Sequence, residues 1–155
     1  MKLAIAAVLA LLGLACSLQA GAVDKPTTSP SAQDRLQNAR AHIEAKRWNA
    51  ARVELHIAER DEPNNADIHN LLGFAYRKQD RRDLPNAFKH YRRALQLDPA
   101  HKGAHEYIGE AYLMDNQLAP SEKHLADLEK LCGNRTCEEY RDLADAIAKY
   151  KAEKR

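Results

Sequence analysis

No stretch of this sequence alternates apolar and polar residues for long enough to make a strand. Glycine is scarce too, with six in 155 residues. Charge of one sign is missing: 24 Lys and Arg face 22 Asp and Glu, a formal +2. That is not the balance of a dedicated nucleic-acid or membrane-surface binder. Catalytic signatures are absent as well. There is no Gly-rich phosphate loop, no G-x-S-x-G, no H-E-x-x-H and no C-x-x-C-H. Nothing assembles a nucleophile, a base and oxyanion donors. The chain therefore reads as non-enzymatic and without a cofactor. Its length suits one ordinary domain and not two.

Long apolar runs are confined to the start. Met1 and Lys2 give a short basic opening, residues 3–18 are small and apolar apart from Gly13, Cys16 and Ser17, and Ala20, Gly21 and Ala22 offer small residues around a cleavage point. This order reads as a cleaved secretory signal peptide over residues 1–22. A membrane anchor is the alternative, but the run is short of the roughly 20 residues a spanning helix needs and no basic stop-transfer cluster follows. Lipidation at Cys16 is a second alternative, because Leu14 and Ala15 precede it as in bacterial lipoproteins, although Gly13 departs from that pattern. The expected location is the periplasm, with a mature chain that does not span the membrane.

Cysteine is nearly absent beyond the signal. Cys132 and Cys137 remain as an even pair, five residues apart. In an oxidising compartment a disulfide is the default reading. Redox use is the weaker one, because it favours C-x-x-C spacing and a thiol of lowered pKa; metal use is the other alternative. Residues 23–31 carry two prolines and several hydroxyl groups without apolar periodicity, and read as a disordered leader.

From residue 32 onward Ala, Leu, Glu, Arg and Lys dominate, which is helix-forming material. The segment repeats itself. Leu72, Gly73 and Tyr76 are answered 36 residues on by Ile108, Gly109 and Tyr112; Ala51, Leu55, Ala58 and Pro63 are answered at the same offset by Ala87, Tyr91, Ala94 and Pro99. Ala39 stands 34 residues before Gly73, and Ser121 stands 34 after Ala87. A period of 34 with two residues inserted between Tyr76 and Ala87, in the charged stretch 79–83, explains every offset. The glycines let helices approach closely, the alanines mark helix crossings, and the prolines end the second helix of a unit.

The pattern resembles the tetratricopeptide repeat (TPR) family, whose unit is a 34-residue helix-turn-helix. The resemblance covers three units, 32–65, 66–101 and 102–135. It implies an all-α, right-handed α-solenoid. Trp48, Leu84 and Leu118 hold like places before each second helix and are expected to seal the inner turns. Unit one departs from the pattern with Asn38 and His42 and is more polar, as an end repeat should be. Gly133 closes unit three, and Thr136 is the expected N-cap of a final helix carrying Glu138 and Glu139 in its first turn. That helix, 136–152, is expected to cap the open face of the stack through Leu143, Ile147 and Tyr150, leaving 153–155 as a tail. Small exported bacterial repeat proteins are similar in placing a cysteine pair just before Glu-Glu-Tyr.

The resemblance also implies a partner-binding groove on the first helices. Carried over position by position, it would present Gln33, Leu36, Arg40 and Glu44 from unit one. Unit two would add Asp67, Asn70, Phe74, Arg77 and Lys78, and unit three Glu106, Glu110, Leu113 and Met114. Phe74 either anchors a peptide side chain or packs against its neighbours. The lysine-and-asparagine clamp of some family members is incomplete here, since Asn70 lacks similarly placed basic partners. Of the seven histidines, His101 and His105 share a helical face and with Glu106 form the one candidate metal set. The alternative is packing, because His69 and His105 occupy one repeat slot where the family has a bulky residue. No metal site is assigned.

The expectation is a protein or peptide partner, not nucleic acid, held by a scaffold or assembly factor of the cell envelope. A metal-handling protein and a self-associating subunit are the alternatives. The sequence leaves the oligomeric state open.

Overall fold

The structure is a computed structural model that describes residues 29–154. The expected signal peptide, the lipidation site and all but the end of the leader lie outside the described residues. Seven helices follow one another: α1 Ala32–Glu44, α2 Trp48–Asp61, α3 Ala66–Lys78, α4 Leu84–Leu97, α5 Lys102–Met114, α6 Leu118–Cys132 and α7 Glu138–Glu153. They pair as α1 with α2, α3 with α4 and α5 with α6, and α7 packs on both α5 and α6. The described residues are an all-α solenoid of three helix-turn-helix units closed by a seventh helix. No helix among them is long and apolar enough to cross a membrane.

Local chemistry sets the helix starts. Ser31 and Asp34 form a reciprocal capping box at α1, with Ser31 Oγ accepting from Asp34 N at 3.2 Å and Asp34 Oδ2 accepting from Ser31 N at 3.0 Å. Asn65 caps α3 by accepting from the backbone of Asp67 and Ile68, and Asp83 caps α4, where Pro85 fits the first turn. His101 caps α5 through Nδ1, which accepts from Ala104 N at 3.1 Å. Helices α2 and α6 have no side-chain cap. Their turns close instead through Lys46 and Asn116, both left-handed with φ of 55° and 57°.

The turns also show where the repeat is interrupted. Arg47 N donates to His42 O, and Gln117 N donates to Tyr112 O, each at 2.8 Å. In unit two the equivalent bond runs from Asp83 N to Tyr76 O at 3.1 Å. The chain thus rejoins the same hydrogen bond after two extra residues, and the insertion changes the turn without disturbing helix packing.

Small residues lie at the crossings. Ala51, Ala58, Ala87 and Ala94 are fully buried. A Cβ on Gly73 would lie 2.6 Å from the Tyr91 ring, and one on Gly109 would lie 2.6 Å from Leu143 of α7. Leu143 of α7 thus packs directly over the backbone of α5 at residue 109. Leu143 and Ile147 are buried, and with Leu113 and Leu128 they form the last of three apolar clusters. Trp48, Leu84 and Leu118 are the first residues of the second helices and are half-buried.

One cap differs from expectation. Thr136 does not cap α7: its backbone N and its hydroxyl both donate to Asn134 Oδ1, at 2.8 and 2.7 Å. Cys137 takes the N-cap position without a side-chain cap bond, and its sulfur lies beside that of Cys132. Gly133 ends α6 in the left-handed region at φ 68°, where a residue without Cβ is favoured.

Candidate binding groove

The inner face is built from α1, α3 and α5, and helical periodicity decides which of their residues reach it. Four sets of repeat-equivalent positions bear on it. Glu44, Lys78 and Met114 are exposed in all three units. Arg40, Phe74 and Glu110 form the next set inward, exposed in the first unit and half-buried in the other two. Gln37, Leu71 and Tyr107 form a third, with Leu71 buried and Tyr107 half-buried. Gln33, Asp67 and Gly103 complete the stripe.

Two expected sets are corrected. Leu36, Asn70 and Glu106 are equivalent and are all buried, at 4%, 6% and 8% exposure. Arg77 and Leu113 belong to the set of Ile43, and are buried at 1% and 8%. Both sets lie a residue off the groove stripe, and at about 100° per residue that turns a side chain from the groove into the helix interface. Of the expected binding residues, Arg40, Glu44, Asp67, Phe74, Lys78 and Glu110 remain accessible, while Asn70, Arg77 and Glu106 support the wall from within.

Phe74 packs against its neighbours and still keeps part of its ring accessible. Its ring packs against Tyr107 at 4.8 Å and Trp48 at 6.2 Å between centroids, so three units contribute to one aromatic row. It still faces a cavity of about 190 Å³ lined by Arg40, Ile43, Glu44, Leu71 and Tyr107. The sequence reading missed Trp48 and Tyr107 as groove residues. Aligning Leu71 with Tyr107 across the 36-residue offset was the signal that could have found the second.

Beneath the row lies Arg77. Its Nε donates to the Tyr91 hydroxyl at 3.2 Å, its Nη1 pairs with Glu110, and the guanidinium stands 5.4 Å from the Phe74 and Tyr107 ring centres. Burial alone would lower its pKa, but Tyr91 and Glu110 outweigh it and hold the group charged. Its Nη2 has no partner among the described residues. Arg77 also borders a second cavity of about 410 Å³, with Lys78, Arg82, Glu110, Met114, Lys149 and Tyr150 around it. This second cavity lies among α3, α5 and α7.

The floor of α5 is unusual for its carboxyl. Burial first, then the charges of Glu110 and Asp142, push Glu106 up to about 8. Burial likewise pushes the Tyr107 hydroxyl up to about 12, helped by Glu106. At the other end, Asp67 Oδ1 meets His101 Nε2 at 3.0 Å and Asp67 Oδ2 meets Arg40 at 3.5 Å. This ties α1, α3 and the cap of α5 together.

The rival metal set of His101, His105 and Glu106 does not assemble. His101 is spent on its cap and on Asp67, and His105 turns to His124 with an Nδ1 to Nδ1 distance of 2.9 Å. No group of three donors among the described residues contains His101 or Glu106.

No protein-family model and no curated protein matches the chain. A solved structure does. The type III secretion translocator chaperone SycD of Yersinia enterocolitica, crystallised as an alternative dimer, is similar over 84% of this chain and 98% of that one, with a TM-score of 0.68 at 14% identity. The similarity shows a TPR-like helical-repeat fold.

Proposed function

We propose that this chain is a non-enzymatic protein-interaction module that holds an extended or helical segment of an envelope protein in its inner groove. It serves there as a scaffold or assembly factor. In this reading residues 1–22 are a cleaved export signal, the mature chain works in the periplasm, and the Cys132–Cys137 disulfide pins the capping helix to the last unit.

One observation carries the reading: Phe74, half-buried between Trp48 and Tyr107, still faces the cavity beside Arg40, Glu44 and Leu71. Aromatic anchors in pockets rimmed by polar groups are where binding energy concentrates. Arg40 and Glu44, exposed on the rim of that cavity, offer a donor and an acceptor for the backbone or a charged end of the bound segment. The fold shared with a secretion translocator chaperone supports a protein partner by analogy of architecture only.

Site-specific photo-crosslinking in cells tests this. A crosslinker at Phe74 or Met114 is expected to give one adduct of defined mass, and one at Val53, 59% exposed on α2, is expected to give none. Adducts from Val53 alone would contradict the groove.

A further inference from the structure

The histidines repeat in space as well as in sequence. His69 of α3 and His90 of α4 bring their Nδ1 atoms to 3.2 Å, and His105 of α5 and His124 of α6 bring theirs to 2.9 Å. In unit one the equivalent positions hold Arg35 and Glu54, ion-paired at 3.1 Å. An ion pair thus fills this position once, and two imidazoles fill it twice.

Each pair is oriented from behind. His69 Nε2 donates to the carbonyl of Pro63 at 3.0 Å, and His105 Nε2 donates to that of Pro99 at 3.0 Å. These bonds fix the Nε2–H tautomer and leave Nδ1 a bare lone pair facing the other ring. Metal-binding histidines are held in the same way, by an outer carbonyl or carboxylate on the second nitrogen.

A carboxylate completes each group. Glu59 Oε1 lies 3.6 Å from His69 Nδ1 and 4.0 Å from His90 Nδ1, while Glu59 Oε2 is engaged with His56 at 3.0 Å. In the other unit Asp127 brings an oxygen within 4.8 Å of both His105 and His124. Ligand atoms around tetrahedral zinc, at about 2.0–2.1 Å from the ion, stand about 3.3 Å apart. The two imidazoles already stand near that spacing, and closing the Glu59 distances by up to about 0.7 Å would bring the first group to it.

We propose that these are two repeat-related sites for a divalent transition-metal ion of the zinc class. The first is formed by His69 Nδ1, His90 Nδ1 and Glu59, the second by His105 Nδ1, His124 Nδ1 and Asp127. Two imidazoles and one carboxylate suit this borderline class better than calcium or magnesium. The first site opens to a cavity bordered by Lys89, Arg92, Arg93 and Gln96, leaving the fourth position to water or a small anion. Metal entry moves the His90 ring proton from Nδ1 to Nε2, so the ligand stays neutral and no net proton is released there. Neither site shares a residue with the groove cavities, so this inference stands apart from the proposed partner binding.

Titration of the chelator-treated protein with Zn²⁺, followed by calorimetry, tests the proposal. Two equivalents are expected for the wild type, one each for His69→Asn and His105→Asn, and none for the double variant. His42→Asn is expected to keep both. Fewer than two equivalents in the wild type, or two in the double variant, would overturn it. The imidazole nitrogen NMR spectrum of the wild-type protein gives a readout free of substitutions. The Nδ1 signals of His69, His90, His105 and His124 are expected to move on zinc addition while those of His42 and His101 stay. Movement confined to other histidines would equally overturn the assignment.

Discussion

Arg77 of α3 and Glu110 of α5 form an ion pair whose cation is 1% exposed and whose anion is 25% exposed. It joins two inner helices directly beneath the aromatic row of the groove. Removing one partner from a buried pair leaves an uncompensated charge, whereas replacing both by apolar groups is often nearly neutral. Glu110→Leu is expected to cost about 3 kcal/mol in urea unfolding. The double variant Arg77→Met with Glu110→Leu is expected to be more stable than Glu110→Leu alone. Equal costs for the two proteins would contradict the pairing.

Gly73→Ala is expected to destabilise by about 1–3 kcal/mol, the usual range for overpacking a core. Its new Cβ would meet the Tyr91 ring at 2.6 Å, and Tyr91 is held in place by the bond to Arg77. Gly109→Ala meets the outer methyls of Leu143 instead, which can move more cheaply. Thermal unfolding of both variants is expected to show the larger loss at residue 73.

Stability in the presence of a chelator is expected to peak near pH 6.5. Burial, with smaller contributions from neighbouring histidines, lowers His90 and His124 from 6.5 to about 4. Between those values the unfolded chain binds protons that the folded chain does not, so stability falls as pH drops through that range. Glu106 has the opposite sign. Raised from 4.5 to about 8, it keeps a proton in the folded state that the unfolded state has lost, so its effect is a loss of stability as pH rises towards 8. The two histidines outweigh it up to about pH 6.5, and above that it acts alone. Chemical unfolding from pH 4 to 9 checks this: Glu106→Gln is expected to remove the alkaline decline, and stability that still rises from pH 6.5 to 8 would contradict it.

Much of this fold was legible in the sequence because small residues recur where helices cross. The offsets of Gly73 to Gly109 and Ala51 to Ala87 pointed to a helical repeat, and the two-residue insertion was visible as the charged stretch 79–83. The groove was less legible. Leu36, Asn70 and Glu106 are chemically unlike one another, so their shared burial does not show in residue type, and only the buried Leu36 hinted at it. Arg77 looked like a surface cation, yet its equivalents Ile43 and Leu113 are apolar, which marks a packing position. The histidine pairs were harder still. His69 and His90 lie 21 residues apart on facing helices, and no spacing rule for a single helix joins them.

Replacing Cys132 and Cys137 by serine is expected to cost about 2 kcal/mol, the loop-closure term for so short a loop. Since the pair sits between α6 and α7, the loss is expected to be local. Amide exchange is expected to quicken in α7 well before it does in α3. Uniform acceleration across the solenoid would contradict a role confined to the capping helix.

The most direct test of groove recognition is the affinity of the crosslinked partner for purified Phe74→Ala, measured beside the wild type and Val53→Asp. An anchor of this kind contributes about 2 kcal/mol, so Phe74→Ala is expected to bind roughly 30-fold more weakly while keeping wild-type helicity, with Val53→Asp unchanged. Undiminished binding by Phe74→Ala together with loss in Val53→Asp would place the interface on the outer helices and contradict the account.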